Sequence, residues 1–118
     1  MIIRAVREVI GTARDVHGDG WKSRRLVLAD EDIGYSVHET TLEAGISLRF
    51  EYEHHRETVY CVSGEGQVED LASGRTVHLA PGGLYSAGIG EPHRIETATE
   101  MRLLCVFTPP LAGTEEAD

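Results

Sequence analysis

Along most of this chain, apolar and polar residues alternate in short runs, and glycine or proline separates one run from the next. The clearest are RRLVLAD (24–30), YSVHETTL (35–42), SLRFEYE (47–53), ETVYCVSG (57–64), GQVEDL (66–71), RTVHLA (75–80), HRIETA (93–98) and MRLLCVF (101–107). A period of two, with Val, Leu, Tyr and Thr prominent, predicts half-buried strands. Many short strands punctuated by turn residues predict an all-β domain, here a small single-domain jelly-roll barrel. Ser63-Gly64-Glu65-Gly66 and Ser73-Gly74 read as hairpin connections, and Pro81-Gly82-Gly83 as a sharp corner. REVIGTARDV near the start carries a short helical turn. Pro109-Pro110 closes the last strand, so the barrel is expected over 1–110, followed by a polar, mobile tail over 111–118.

Composition narrows the function classes. The chain has 118 residues, enough for one domain with a proper core. Eleven Lys and Arg against twenty Asp and Glu give a net charge of −9. That balance excludes a nucleic-acid backbone or an anionic membrane as the expected partner, since both call for clustered positive charge. The longest apolar runs, such as 103–107, fall far short of the ~20 residues of a membrane span. MIIRAVREVIGT interrupts its apolar residues with charges and has no secretory core. Cys61 and Cys105 form neither a disulfide framework nor a zinc pattern, and read as buried free thiols. The expected location is the cytoplasm.

Strand parity then points to chemistry. Glu57, Val59 and Cys61 share one face of their strand. A carboxylate among apolar neighbours either sits in water at a barrel rim or is paired or bound to a cation. His93, Ile95 and Thr97 share a face in the same way, and Tyr85 follows a glycine corner, where an aromatic usually joins the core.

Spacing adds to parity. Glu57, six residues, then Gly64 resembles the end of the first motif of the cupin superfamily, whose glutamate is a metal ligand. Gly82, five residues, Gly88, one residue, Gly90, two residues, His93 resembles the second, although glycine replaces its proline at 88 and Thr97 its closing asparagine. The His-x-His pair of that superfamily should fall near Phe50 and Tyr52, or Glu51 and Glu53, where no histidine stands. His54 and His55 are adjacent and would face opposite ways in a strand. The usual three-His-one-Glu centre is therefore absent, and Tyr85 is the nearest extra candidate for a reduced one.

Four segments, VIGTARDVHGDGWKSRRLVL, HRETVYCVSGEGQVEDLASG, PGGLY and MRLLCVFTPPLAG, resemble one branch of the cupins, the ectoine synthases, over nearly the whole chain. The resemblance implies a single-metal centre on Glu57, Tyr85 and His93, a hard donor set suited to iron(II), with another divalent metal as the alternative. It implies a substrate pocket on Trp21, Arg25, Thr40, Tyr52, His55, Cys105 and Phe107, for which plain core packing is the other reading of Trp21 and Phe107. Proton transfer falls to Tyr52, His55 or Glu115. The implied enzyme is a cyclising hydro-lyase of compatible-solute biosynthesis under osmotic stress. It converts N4-acetyl-L-2,4-diaminobutyrate to ectoine with loss of water, and works as a homodimer. Three positions depart from the family pattern: Ala117 stands where a histidine is common, the sequence stops at Asp118, and His38 takes a place where some members carry an amide. Those departures leave an alternative, a related cupin that binds or converts a different small polar solute.

Overall fold

The computed structural model describes residues 1–114. After a single helical turn, α1 (Val6–Val9), the chain runs through ten strands: β1 (Asp15–Gly18), β2 (Trp21–Val27), β3 (Ser36–Leu42), β4 (Ser47–Phe50), β5 (Arg56–Ser63), β6 (Gly66–Asp70), β7 (Thr76–Leu79), β8 (Leu84–Ala87), β9 (His93–Thr97) and β10 (Met101–Thr108). They form two antiparallel sheets, one ordered β1-β2-β3-β10-β5-β8 and the other β4-β9-β6-β7. The core lies between them: Leu42, Val59, Cys61, Met101 and Leu103 from the larger sheet meet Leu79 and Ile95 from the smaller, all at most 3% exposed. The all-β expectation therefore holds, and so does the helical turn near the start.

Two strands went unread in the sequence, for physical reasons. β1 reads DVHG and shows no apolar alternation; it is held by the Asp19-Gly20 turn that folds it onto β2. β8 reads LYSA, and four residues are too few to display a period. β2 begins at Trp21, ahead of the expected start at 24, and β4 ends at Phe50, before the expected 53.

One turn also needs correction. Ser73-Gly74 does close a hairpin, between β6 and β7, but Ser63–Gly66 does not. β5 pairs with β10 and β8, whereas β6 pairs with β7 and β9, so this turn carries the chain from one sheet to the other. Gly64 makes that crossing possible. Its φ is +86°, and a Cβ there would lie 2.0 Å from the Glu100 carbonyl oxygen. The Pro81-Gly82-Gly83 corner crosses back, from β7 to β8.

Packing continues past Pro110. Leu111 is 5% exposed within the core cluster, its carbonyl accepts from Ala29 N–H at 2.8 Å, and its own N–H donates to Ser36 Oγ at 2.9 Å. The rest of the expected tail, 115–118, lies outside the described residues.

Candidate active site

Antiparallel register explains how residues far apart in sequence meet. Arg25 stands opposite His38, His38 opposite Cys105, Cys105 opposite Val59, and Val59 opposite Tyr85, so one row crosses five strands of the larger sheet. Directly opposed residues point to the same face, here the interior. The next row sets Phe107 between Ser36 and Glu57. Of these, Arg25, His38, Glu57, Tyr85, Cys105 and Phe107, together with Trp21, Ser23, Thr40 and Tyr52, line a cavity of about 510 Å³ that opens between the sheets.

Glu57 sits in the cavity wall and is 6% exposed, which decides between its two sequence readings: it is not a rim carboxylate in water. Its Oε1 lies 3.1 Å from His93 Nε2, which β9 brings in from the smaller sheet. The charge of the same carboxylate acts on the Tyr85 phenol, and the Tyr85 and His93 rings meet edge-on at 5.2 Å. Phe50 stacks on the imidazole at 5.8 Å. His93 lines a second, smaller cavity of about 220 Å³ on the other side of the centre, and Tyr85 borders both.

Burial and charge set the protonation of this group. Burial works against the His93 imidazolium, but the hydrogen bonds to Glu57 and the Glu91 carbonyl outweigh it and raise its pKa above the ordinary value. Burial, reinforced by the Glu57 charge, holds the Tyr85 phenol well above its ordinary pKa. The same two influences push the Cys105 thiol up, so it stays protonated.

The donor set fits a cation. His93 Nδ1–H donates to the Glu91 carbonyl at 3.0 Å, which turns Nε2 toward the Glu57 carboxylate. That second contact is the usual way a metal-binding histidine is oriented. With Nδ1 carrying its proton, two acceptors face each other across 3.1 Å unless a proton or a cation lies between them. A buried carboxylate, a phenol oxygen and an imidazole nitrogen make a hard, oxygen-rich trio. Among the described residues no three His, Cys, Asp or Glu side chains converge as a metal-holding group; Tyr85 is the further donor beside Glu57 and His93 that could join them.

The other expected residues divide. Trp21, Arg25, Thr40, Tyr52, Cys105 and Phe107 all line the larger cavity. Arg25 is 8% exposed; its Nε donates to Ser23 Oγ at 3.0 Å and its Nη1 to the Gly113 carbonyl at 2.9 Å. Cys105 Sγ reaches Thr40 Oγ1 at 3.7 Å. Tyr52 packs edge-on against Phe107 at 5.0 Å. His55 does not line the cavity: it lies behind Tyr52, at 6.4 Å between ring centres, with Nδ1–H donating to the Pro109 carbonyl at 2.8 Å. Glu115 and Ala117 fall outside the described residues. Sequence reasoning assigned no role to Ser23, His38, Leu48, Phe50 or Arg49, all in the cavity wall. Parity would have found the first two, since Ser23 lies between Trp21 and Arg25 in register and His38 shares its face with Thr40.

With this geometry in place, comparison with known proteins is informative. A family model described as ectoine synthase matches residues 1–118. The L-ectoine synthase of Mycobacteroides abscessus is 45% identical over 118 residues, covering 100% of this chain and 91% of its own. The crystal structure of ectoine synthase from P. lautus superimposes with a TM-score of 0.92 at 37% identity, covering 98% of this chain and 83% of that one. An RmlC-like cupin from Shewanella frigidimarina, at 20% identity and a TM-score of 0.69 over 80% of this chain and 81% of its own, shows the cupin fold alone.

Proposed function

The chain belongs to the ectoine synthase family, and from that premise we propose how its residues divide the work. It is an enzyme of that kind, cyclising N4-acetyl-L-2,4-diaminobutyrate to ectoine with loss of water. The observation that carries the residue-level reading is that His93 meets Glu57 at 3.1 Å in the wall of a cavity that Tyr85, Trp21, Arg25 and Phe107 also line.

In this reaction the 2-amino nitrogen attacks the acetamide carbon of its own molecule. A carbon–nitrogen bond forms, the amide oxygen leaves as water, and a cyclic amidine remains. Three obstacles stand in the way: a poor electrophile, a protonated amine and an extended substrate. Glu57, Tyr85 and His93 would hold a divalent cation, iron(II) first among them, which when bound supplies Lewis-acid polarisation worth several kcal/mol. Trp21 and Phe107 wall the cavity and favour the folded conformer while excluding water. Arg25 faces the cavity with a planar guanidinium fixed by two hydrogen bonds, suited to the substrate carboxylate. Tyr52 is the proton-transfer candidate that lines the cavity; His55 acts through it, by its edge contact. The protonated Cys105 is a wall contact rather than a nucleophile.

The same reading gives the protein a place in compatible-solute biosynthesis under osmotic stress, in the cytoplasm. No helix among the described residues is long and apolar enough to cross a membrane. It also gives a homodimer. What supports this is the outer face of the larger sheet, where Leu104, Tyr60 and Leu84 stand directly opposite one another on three adjacent strands, at 36%, 44% and 60% exposure. An apolar row ending on the edge strand β8 suits a second copy.

Turnover tests the proposal. The purified chain, loaded with iron(II) and given N4-acetyl-L-2,4-diaminobutyrate, should yield ectoine by proton NMR. A folded, metal-bound chain that leaves the substrate unchanged refutes it.

A further inference from the structure

Glu57 and His93 meet across a partition between two cavities. Glu57 lines the larger one and His93 the smaller, and Tyr85 borders both. The smaller cavity, of about 220 Å³, lies where the sheets part. Its walls come from β7 and β8, the outer strands of their sheets, and among the described residues each pairs with one neighbour, β6 and β5 respectively. Register shapes those walls. Leu79 is buried in the core, so Val77, two residues before it, lies on the same inner face, directly opposite Val68 on β6. Across the gap, Tyr85 and Ala87 alternate inward on β8, opposite Val59 and Glu57. The lining is graded in depth. Asp70, Arg75, Val77 and Glu91 are exposed, Val68, Ala87 and Pro92 are half-buried, and His93 is only 5% exposed. The cavity therefore leads from solvent to the imidazole.

Charge gives this passage a preference. Of its lining residues two are acidic, Asp70 and Glu91, and one is basic, Arg75. The charges of Asp70 and Glu91 both interact with His93. A separate observation says what belongs at the inner end. With the His93 proton on Nδ1, Nε2 and Glu57 Oε1 are two acceptors 3.1 Å apart, an arrangement that a cation satisfies.

We propose that the smaller cavity is the route by which a divalent cation reaches the centre, with Glu91 and Asp70 drawing it in and His93 the first ligand it meets. The proposal rests on the cation centre set out above. A cleft with excess negative charge raises the local concentration of cations and their rate of entry. Loading through this side also leaves the larger cavity to the substrate, so that an occupied larger cavity does not bar the cation.

Uptake kinetics test this without any turnover. The full-length chain, stripped of metal by a chelator, is mixed with cobalt(II), and the ligand-field absorption is followed by stopped flow. Val77 is 42% exposed, so a larger side chain there can obstruct the passage without entering the core. Val77→Trp should slow cobalt(II) uptake and chelator-driven release by the same factor, at least roughly 10-fold, the low end of what a charged cleft adds to an entry rate. The equilibrium affinity and the circular dichroism should then match those of the wild type. Two charge variants should move uptake in opposite directions. Glu91→Gln keeps an oxygen for the Gly88 N–H and should slow it, whereas Arg75→Gln should quicken it, each by roughly 3- to 10-fold at low salt and less at high salt. A gain of rate in Arg75→Gln is not a result that misfolding produces. Wild-type uptake in Val77→Trp, or affinity lost through faster release alone, overturns the route while leaving the centre in place. A wild type that takes up no cobalt(II) overturns the centre and the route together.

Discussion

Arg25 has three tasks at once, and only an arginine can serve them. Nε holds Ser23, Nη1 holds the Gly113 carbonyl, and the residue lines the cavity. Arg25→Lys keeps the charge but supplies a single compact ammonium. It should raise KM for N4-acetyl-L-2,4-diaminobutyrate about 10-fold or more, the scale of one lost charge-assisted hydrogen bond, with a smaller effect on kcat. Steady-state kinetics checks this, and an unchanged KM would remove Arg25 from substrate binding. At this scale the sequence was informative where parity applied: Glu57 with Val59, Trp21 with Arg25, and Cys105 with Phe107 all share the faces expected of them. It was silent where contact depends on the second sheet. Nothing in the spacing of 57 and 93 requires a 3.1 Å approach, and Tyr85 entered the centre only through family resemblance.

Elements are held by turns and by a few charges, and both make predictions. Gly64 and Gly74 share a left-handed φ, +86° and +77°, but only at Gly64 would a Cβ strike backbone. Gly74→Ala should cost about 1–2 kcal/mol, the strain of a left-handed non-glycine residue. Gly64→Ala must also displace the Glu100 carbonyl, so its melting temperature should fall much further. Equal losses would mean that the crossing between sheets tolerates movement. Asp15 pins β1 by accepting from Gly11 N–H at 2.9 Å and Arg24 Nε at 2.8 Å. Those bonds, the Gly11 one foremost, and the contact with His17 lower its pKa from 3.8 to about 2. A depressed folded-state pKa means that its contribution is fully present above 3.8 and is lost as pH falls through about 2. Acid unfolding followed by Trp21 fluorescence should therefore be flatter between those values in Asp15→Asn than in wild type. The same elements show where alternation fails as a guide. β1 has a single apolar residue, Val16, and β8 has four residues, so each is defined by its neighbour in the sheet and not by its own pattern.

For the whole molecule, burial and exposure are uneven between the two faces of the larger sheet. Its inner face is closed by the smaller sheet, while Leu104, Tyr60 and Leu84 remain on the outside. A second copy covering that row would explain it, and light scattering should then give twice the mass of one chain. Tyr60→Glu should halve that mass without changing the far-ultraviolet circular dichroism; a monomeric wild type contradicts the dimer.

The central claim is that Glu57, Tyr85 and His93 form the working centre of an ectoine-forming cavity. Its most direct test measures iron(II) binding and ectoine production in parallel for wild type and Glu57→Ala. The account predicts that the wild type binds iron(II) and produces ectoine, whereas folded Glu57→Ala loses both. Normal metal binding and wild-type turnover in Glu57→Ala would contradict it.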